Sequence, residues 1–242
     1  MSVPSDWLRP DWHVAGVDAF MTTRDGDASD AGIAQASGVR PVFLRQMHGA
    51  RVVRLGRNDA LAGAPVHEAD ASVTSEAGIA CVVKVADCLP VLLAAPEGRA
   101  VGAAHAGWRG LAGGVLEATV AEVCAAAGCR PDDLVAWLGA CIGPAAFEVG
   151  ADVLQAFGAD PDGDPLAGSM RQFRAGGPDR PGKWFADLPA LARDRLAAAG
   201  VARSRGGNWC TVIEASRFFS FRRERVCGRM VAAVWRSGVG GH

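Results

Sequence analysis

The run from residue 79 to residue 128 constrains the fold more than any other part of the chain. Three apolar stretches, at residues 79–85, 91–95 and 101–104, are short and bounded by turn residues, which is typical of buried strands. The third leads through His-Ala-Gly-Trp-Arg-Gly into an apolar pattern of helical period at residues 111–127, with Gly128 as its stop. This order predicts core strands that lead into a helix.

The same run carries residues that core packing does not require. Cys88 stands within Ala-Asp-Cys-Leu-Pro inside an apolar stretch, and His105 stands at the end of the next one. A third candidate, His48, lies upstream in Arg-Gln-Met-His-Gly. Interruptions of a regular apolar pattern are expected at functional sites. These three residues are therefore the first candidates for catalytic or metal-binding residues.

Two imidazoles and one thiol allow three interpretations. Three protein ligands would leave a tetrahedral metal ion with one open position, which is typical of catalytic zinc. Alternatively, Cys88 is a metal-free nucleophile with His105 as its base. In the third interpretation Cys88 is an ordinary buried cysteine and the two histidines are unrelated to it. The long spacings leave all three open.

Several blocks of the sequence resemble the YfiH family, also called the laccase-domain or multicopper polyphenol oxidase family. The resemblance runs in order from about residue 22 to residue 235. It is specific because three of the blocks occur together at intervals similar to those of the family. The main blocks are Gln46-Met47-His48-Gly49, Ala69-Asp70-Ala71, Ala86-Asp87-Cys88-Leu89-Pro90, His105-Ala106-Gly107-Trp108-Arg109-Gly110, Phe147-Glu148-Val149-Gly150 and residues 218–223.

This resemblance implies an α/β (α+β) fold, one layered unit over residues 1–242 with mixed β-sheets flanked by helices. It also implies a zinc-dependent purine nucleoside phosphorylase that acts on adenosine, inosine and methylthioadenosine and that could also deaminate adenosine. The family's zinc ligands fall on His48, Cys88 and His105, which are then catalytic residues as well. The expected partners are purine nucleosides and phosphate.

The His-Ala-Gly-Trp-Arg-Gly turn is a candidate anion site. Gly107 and Gly110 allow tight backbone geometry before a helix, and free N–H groups at a helix start attract anions. Arg109 lies between them and is a candidate phosphate clamp and catalytic residue. In the alternative, the glycines only close a turn, and Arg109 faces solvent or pairs with a carboxylate.

Three other residues are candidate substrate-binding residues. Arg24 lies in a family-like Thr-Thr-Arg block, and Gln46 lies two residues before His48, on the same side of an extended segment. Arg222 and Arg223 are predicted to alternate on a strand, so that only one of them faces the site.

The histidine count disfavours the oxidase activity in the family's name. A multicopper oxidase needs several copper ions held mainly by imidazole, whereas this chain has 5 histidines. Cu²⁺ could still occupy the His-Cys-His site, because such ligands bind it more tightly than Zn²⁺. The remaining alternatives are a metal-free Cys-His hydrolase and a non-catalytic zinc-binding module.

Composition excludes other classes of function. A formal net charge of −1 argues against nucleic acid as a partner, because phosphate backbones require a basic face. The 7 cysteines, an odd number, favour a reducing compartment. The sequence shows neither a signal peptide nor an apolar run that could span a membrane, so the expected location is the cytoplasm. The oligomeric state stays open.

The remaining pattern predicts the other elements. Asp187 is the expected N-cap of a helix at residues 188–199. A shorter helix is expected at residues 151–157, and an exposed connection at residues 160–181. Further strands are expected at residues 42–44, 52–53, 135–138 and 230–235.

Overall fold

A computed structural model describes residues 3–162, 164 and 168–237 of the chain. The strands in this part are β1 Val17–Met21, β2 Arg40–Val42, β3 Val52–Arg54, β4 Ala71–Thr74, β5 Ile79–Val85, β6 Leu89–Ala94, β7 Val101–Ala106, β8 Val135–Leu138, β9 Glu148–Val149, β10 Phe173–Ala175, β11 Trp184–Ala186, β12 Arg203–Gly206 and β13 Met230–Arg236. The α-helices are α1 Asp30–Ser37, α2 Trp108–Ala112, α3 Val115–Ala127, α4 Ala151–Ala156, α5 Leu188–Ala198 and α6 Phe221–Glu224.

The described strands form three sheets. One has six strands in the order β12-β8-β6-β7-β4-β3, one has four in the order β1-β13-β5-β2, and one has three in the order β10-β11-β9. The two larger sheets combine parallel pairs, such as β12 with β8 and β2 with β5, with antiparallel neighbours. The predicted α/β fold with mixed sheets is therefore confirmed.

The central strand β6 shows why its sequence is a continuous apolar run. Val91 and Leu93 pack into the core that contains α3 and α5, whereas Leu92 and Ala94 pack into the core between the two larger sheets. Successive side chains leave opposite faces of a strand, so a strand covered on both sides needs apolar residues at every position. Burial of one leucine side chain stabilises the folded state by about 1.5–3 kcal/mol relative to leaving that side chain exposed.

The predicted helix at residues 111–127 is divided into two. Gly114 has a φ of +92°, a left-handed conformation that ends α2 and lets α3 begin in a new direction. The turn at Gly107 and Gly110 therefore leads into the 5-residue helix α2 and not into a helix that continues to residue 127. The expected anion site at this turn stays a prediction.

Two predicted helices are confirmed with small differences in their ends. Helix α5 begins after Asp187, whose carboxylate accepts a hydrogen bond from the Ala190 N–H at 2.9 Å, as predicted for its N-cap. It ends at Ala198, and α4 ends at Ala156, in each case one residue before the predicted end. The capping residue Asp187 therefore located the start of α5.

Two other expectations were wrong. Residues 222–223 lie in the helix α6, not in a strand, because the Ser220 hydroxyl accepts a hydrogen bond from the Arg223 N–H and caps a helical turn. The connection at residues 160–181 contains β10 and buries Met170 and Phe173. Residue 163 and residues 165–167 of that connection lie outside the described residues.

In the described ranges, no α-helix is long and apolar enough to cross a membrane. The assignment of residues 1–242 to one unit stays a prediction.

Candidate metal centre and adjoining cavity

The structure brings His48, Cys88 and His105 together from three separate segments. His48 lies in the loop after β2, Cys88 in the turn between β5 and β6, and His105 in β7. Their nitrogen and sulfur atoms lie within 4.8 Å of one another. The two imidazole rings meet edge to face, with centroids 4.8 Å apart. Three donor atoms this close together could hold one metal ion.

Asp70, for which the sequence predicted no role, positions two of these side chains. One of its carboxylate oxygens accepts hydrogen bonds from His105 Nδ1 at 2.9 Å and from the His48 N–H at 2.8 Å. The other accepts from the N–H groups of Met47 at 3.1 Å and Gly49 at 2.7 Å. With Nδ1 of His105 engaged, Nε2 is the nitrogen available to a metal ion or to Cys88. A carboxylate placed in this way fixes the tautomer and orientation of a metal-binding histidine.

Two residues at the site have left-handed backbones although neither is glycine. His48 has a φ of +61° and Asp87 a φ of +91°. Such conformations cost about 1–3 kcal/mol each and persist where the surroundings hold them. The hydrogen bonds of Asp70 hold the backbone at His48. At Asp87 the carboxylate accepts hydrogen bonds from Thr211 Oγ1 and from the Arg222 N–H, both at 2.6 Å, and these hold the backbone there.

The electrostatic environment favours the thiolate of Cys88. Burial opposes its ionisation, but hydrogen bonds from His105 and His48, with their charges, lower the pKa of Cys88 to about 7. Burial disfavours protonation of His105, yet Asp70 and Cys88 raise the pKa of this histidine to about 9. Burial also opposes the charge of Asp70, but His105 and three backbone N–H groups together lower its pKa. The thiolate is the form that binds metals and that attacks electrophiles.

Gly107 leaves the space in which these ligands meet. A Cβ atom at this position would lie 3.0 Å from Cys88 Sγ and 3.2 Å from His48 Cδ2. The φ of Gly107 is −65°, which any residue can adopt, so space and not backbone conformation requires the glycine. Two imidazoles and one thiolate form a donor set that suits zinc or copper, with one coordination position left for another ligand.

A cavity of about 680 Å³ adjoins the centre. Four basic residues line it, namely Lys84, Arg109, Arg222 and Arg229. Asp87 is the acidic residue among the described residues of its wall, and Trp108, Phe147 and Phe221 supply aromatic surface. The cavity therefore combines positive charge with flat apolar surface beside the candidate metal ligands.

Arg109 and Arg222 both line this cavity. The Arg109 guanidinium lies 4.3 Å from the ring centroid of Trp108, and no carboxylate of the described chain forms an ion pair with it. Arg222 lies 5.7 Å from the ring centroid of Phe147 and donates a hydrogen bond to the Glu148 carbonyl at 3.1 Å. Both guanidinium groups keep N–H donors for an anion.

Gln46 lines the cavity, but its side-chain amide forms hydrogen bonds with the backbone of Lys84. Its Nε2 donates to the Lys84 carbonyl at 2.8 Å, and its Oε1 accepts from the Lys84 N–H at 2.8 Å. Because both polar atoms of the amide are engaged, Gln46 holds the end of β5 in place. The expected direct contact of Gln46 with substrate stays a prediction.

Arg24 and Arg223 lie elsewhere. Arg24 is not among the described residues that line the cavity, because its guanidinium donates to the Ala215 carbonyl and lies 3.5 Å from the Glu224 carboxylate. The expectation that Arg24 reaches substrate stays a prediction. Arg223 donates to the carbonyls of Thr211, Val212 and Phe218 at 2.6, 3.0 and 2.8 Å and so stabilises the adjoining loop.

Sequence reasoning missed Lys84 and Arg229, two of the four basic residues of the cavity. A signal for Lys84 was present, since it is the one charged and exposed position in the buried strand β5. Arg229 lies immediately before β13, and its sequence gave no comparable signal.

Comparisons with known proteins identify the family. A family model described as multi-copper polyphenol oxidoreductase laccase matches residues 16–237. A Pseudomonas aeruginosa protein named purine nucleoside phosphorylase is 39% identical over 95% of this chain and 98% of its own length. Escherichia coli purine nucleoside phosphorylase YfiH is 44% identical over 81% of this chain and 74% of its own length. The crystal structure of a Neisseria meningitidis protein superimposes with a TM-score of 0.82 at 38% identity, covering 97% of this chain and all of that one. The chain therefore belongs to the YfiH family, whose domain model carries the laccase description.

Proposed function

We propose that the protein is a zinc-dependent purine nucleoside phosphorylase that acts on adenosine, inosine and methylthioadenosine. The observation that carries this proposal is the position of the His48–Cys88–His105 centre, which opens onto a cavity with four basic side chains. The names of the relatives from Pseudomonas aeruginosa and Escherichia coli support the reaction class.

The residues of the cavity have distinct parts in this reaction. His48, Cys88 and His105 would hold the zinc ion, which supplies a Lewis acid at its open position when bound. Arg109 and Arg222 would bind the attacking phosphate through charge-assisted hydrogen bonds and orient one of its oxygens.

The bond changes balance without an additional reactant. The phosphate oxygen forms a bond to ribose C1′ while the bond from C1′ to the purine nitrogen breaks. The purine leaves with the bonding electron pair and takes up a proton, and ribose 1-phosphate is the second product. Phe147, Phe221 and Trp108 offer the aromatic surface against which a purine would stack.

A metal-free hydrolase is the second candidate, supported by the hydrogen-bonded pair of Cys88 and His105 and by a thiol pKa of about 7. The zinc proposal accounts for more of the site, because His48 and its strained backbone have no part in a two-residue nucleophile mechanism. A deamination of adenosine at the same centre belongs to the proposal as a side activity. In that reaction water adds at purine C6, the bond from C6 to the exocyclic amino group breaks, and inosine and ammonia are the products.

The dependence of nucleoside cleavage on phosphate tests the proposed function. Protein of known metal content is incubated with inosine and with adenosine, each with and without phosphate, and the products are separated. We expect hypoxanthine or adenine together with ribose 1-phosphate, and cleavage only when phosphate is present. Equal cleavage without phosphate would indicate a hydrolase instead, and formation of inosine from adenosine would reveal the deaminase activity.

Replacing Arg109 with alanine is expected to raise the KM for phosphate about tenfold to a hundredfold, because charge-assisted contacts to phosphate are lost. Metal content should not change. Lysine at this position should restore part of the affinity, since it keeps the charge but not the planar fork of donors. Steady-state kinetics with varied phosphate measure the effect, with the exposed Arg40→Ala variant as a control. An unchanged KM and kcat would remove Arg109 from the phosphate site and leave that role to Arg222.

A further inference from the structure

Lys84 and Arg229 are two basic residues at one end of the four-stranded sheet, Lys84 in β5 and Arg229 immediately before β13, and we call them the basic pair. Strands β5 and β13 are antiparallel neighbours in which Val231 lies opposite Lys84 and Met230 opposite Val85. Arg229 lies two residues before Val231, and residues two apart on an extended strand point to the same face of a sheet. Val231 and its partner Lys84 share a face, so the side chain of Arg229 leaves the sheet on the face of Lys84. Both side chains line the cavity beside the candidate metal centre.

Neither member of this pair is neutralised by a carboxylate of the described chain. The Lys84 ammonium lies 4.1 Å from the ring centroid of Phe43 and forms no ion pair there. Arg229 Nη1 donates to the carbonyls of Cys227 and Gly228, both at 3.0 Å, which leaves the Nε and Nη2 donors of this guanidinium without a partner in the described chain.

The cavity carries more positive charge than the proposed reaction requires. Lys84, Arg109, Arg222 and Arg229 give four positive charges, whereas the Asp87 carboxylate already accepts two hydrogen bonds from the protein. A phosphate group carries about two negative charges near neutral pH, and a purine nucleoside carries none. Because Arg109 and Arg222 are assigned to that phosphate, Lys84 and Arg229 have no ligand group in the proposed reaction.

We propose that Lys84 and Arg229 form a second phosphate subsite, separate from that of Arg109 and Arg222, and that it binds the phosphate ester of a nucleoside 5′-monophosphate. The inference rests on the proposed function for the nucleoside part of the ligand. The forked donors of arginine and the compact charge of lysine are both common in phosphate binding. A second inorganic phosphate ion would make the same contacts as the phosphate ester, so the experiment distinguishes a bound nucleotide from bound free phosphate.

Isothermal titration calorimetry of the metal-loaded full chain tests this subsite, with AMP, adenosine and inorganic phosphate as probes in otherwise phosphate-free buffer. We expect AMP to bind about tenfold more tightly than adenosine. In Lys84→Gln and in Arg229→Gln the ratio of the two affinities should fall about tenfold, because charge-assisted hydrogen bonds to the ester are lost. Lys183→Gln and Arg40→Gln, at exposed positions outside the cavity, are the matched controls and should keep the wild-type ratio.

The possible outcomes distinguish a nucleotide site from a site for free phosphate and test whether the subsite exists. Two bound phosphates in the wild type and one in a variant that carries both Lys84→Gln and Arg229→Gln, with AMP binding no tighter than adenosine, would assign the subsite to free phosphate and overturn the nucleotide assignment. An affinity ratio that neither cavity variant changes would overturn the subsite itself, as would equal binding of AMP and adenosine with one bound phosphate. Because binding is measured, a protein that binds AMP through this pair but cleaves no nucleoside would contradict only the proposed function.

Discussion

The Cys88→Ala variant is expected to lose its bound metal and its nucleoside cleavage. Removing the thiolate leaves two imidazoles, and the loss of a direct ligand should cost more than the 10–100-fold in affinity that is typical when a supporting residue is removed. We therefore expect metal affinity to fall by more than about 100-fold and cleavage to fall to background. Elemental analysis after dialysis against a chelator, together with product formation from inosine in phosphate buffer, measures both quantities.

Cys124→Ala is the matched control for this substitution. Cys124 is a half-buried cysteine near the end of α3, away from the candidate metal centre, so its loss should leave metal content unchanged. A Cys88→Ala protein that keeps its metal at the normal affinity would show that the metal assignment is wrong. If that protein were also inactive, the nucleophile interpretation of Cys88 would gain support.

Asp70→Asn is expected to have the second largest effect, because it replaces an acceptor of four hydrogen bonds with a group that both donates and accepts. The amide NH₂ would face N–H groups that now donate to a carboxylate oxygen. Each buried donor that loses its acceptor costs about 1–3 kcal/mol. We expect a lower free energy of unfolding and a metal affinity reduced by about 10–100-fold, since His105 loses the partner that orients it.

Chemical denaturation of the metal-free protein measures the stability effect separately from the metal effect. Asp59→Asn is the control, because Asp59 also accepts from a histidine nitrogen, His67 Nε2 at 2.7 Å, and from a backbone N–H, that of Gly56 at 2.8 Å. Its side chain is 23% exposed, against 1% for Asp70, so water can replace the lost contacts. Wild-type stability and metal affinity in Asp70→Asn would contradict the positioning role.

Local sequence patterns predicted the core strands and the helices α4 and α5. Strands β5 and β8 have the bounds that their apolar runs predicted, and α5 follows Asp187 as expected. These features are local, because burial on both faces requires continuous apolar residues and a capping side chain contacts its own first turn. The triad of His48, Cys88 and His105 was also named from its motifs, and the structure brings the three together.

Elements with weaker local patterns were missed. Strand β12 reads Arg203-Ser204-Arg205-Gly206 and lies at a sheet edge, where exposed polar residues replace the apolar pattern of a central strand. The division between α2 and α3 depends on the left-handed backbone of Gly114. The adjacent pair Gly113-Gly114 is a turn signal in the sequence, which the prediction of one continuous helix did not use.

The charged residues that line the cavity follow from contacts between distant segments of the chain. Arg24 donates a hydrogen bond to Glu224, 200 positions further along the chain, and is not among the described residues that line the cavity. Lys84 and Arg229 line the cavity and have no carboxylate partner in the described chain. Asp70 likewise became a central residue because its carboxylate meets a loop more than twenty residues upstream and a histidine 35 residues downstream. Hydrogen bonds and ion pairs of this kind depend on distances between segments that are remote in sequence, and local patterns carry no information on those distances.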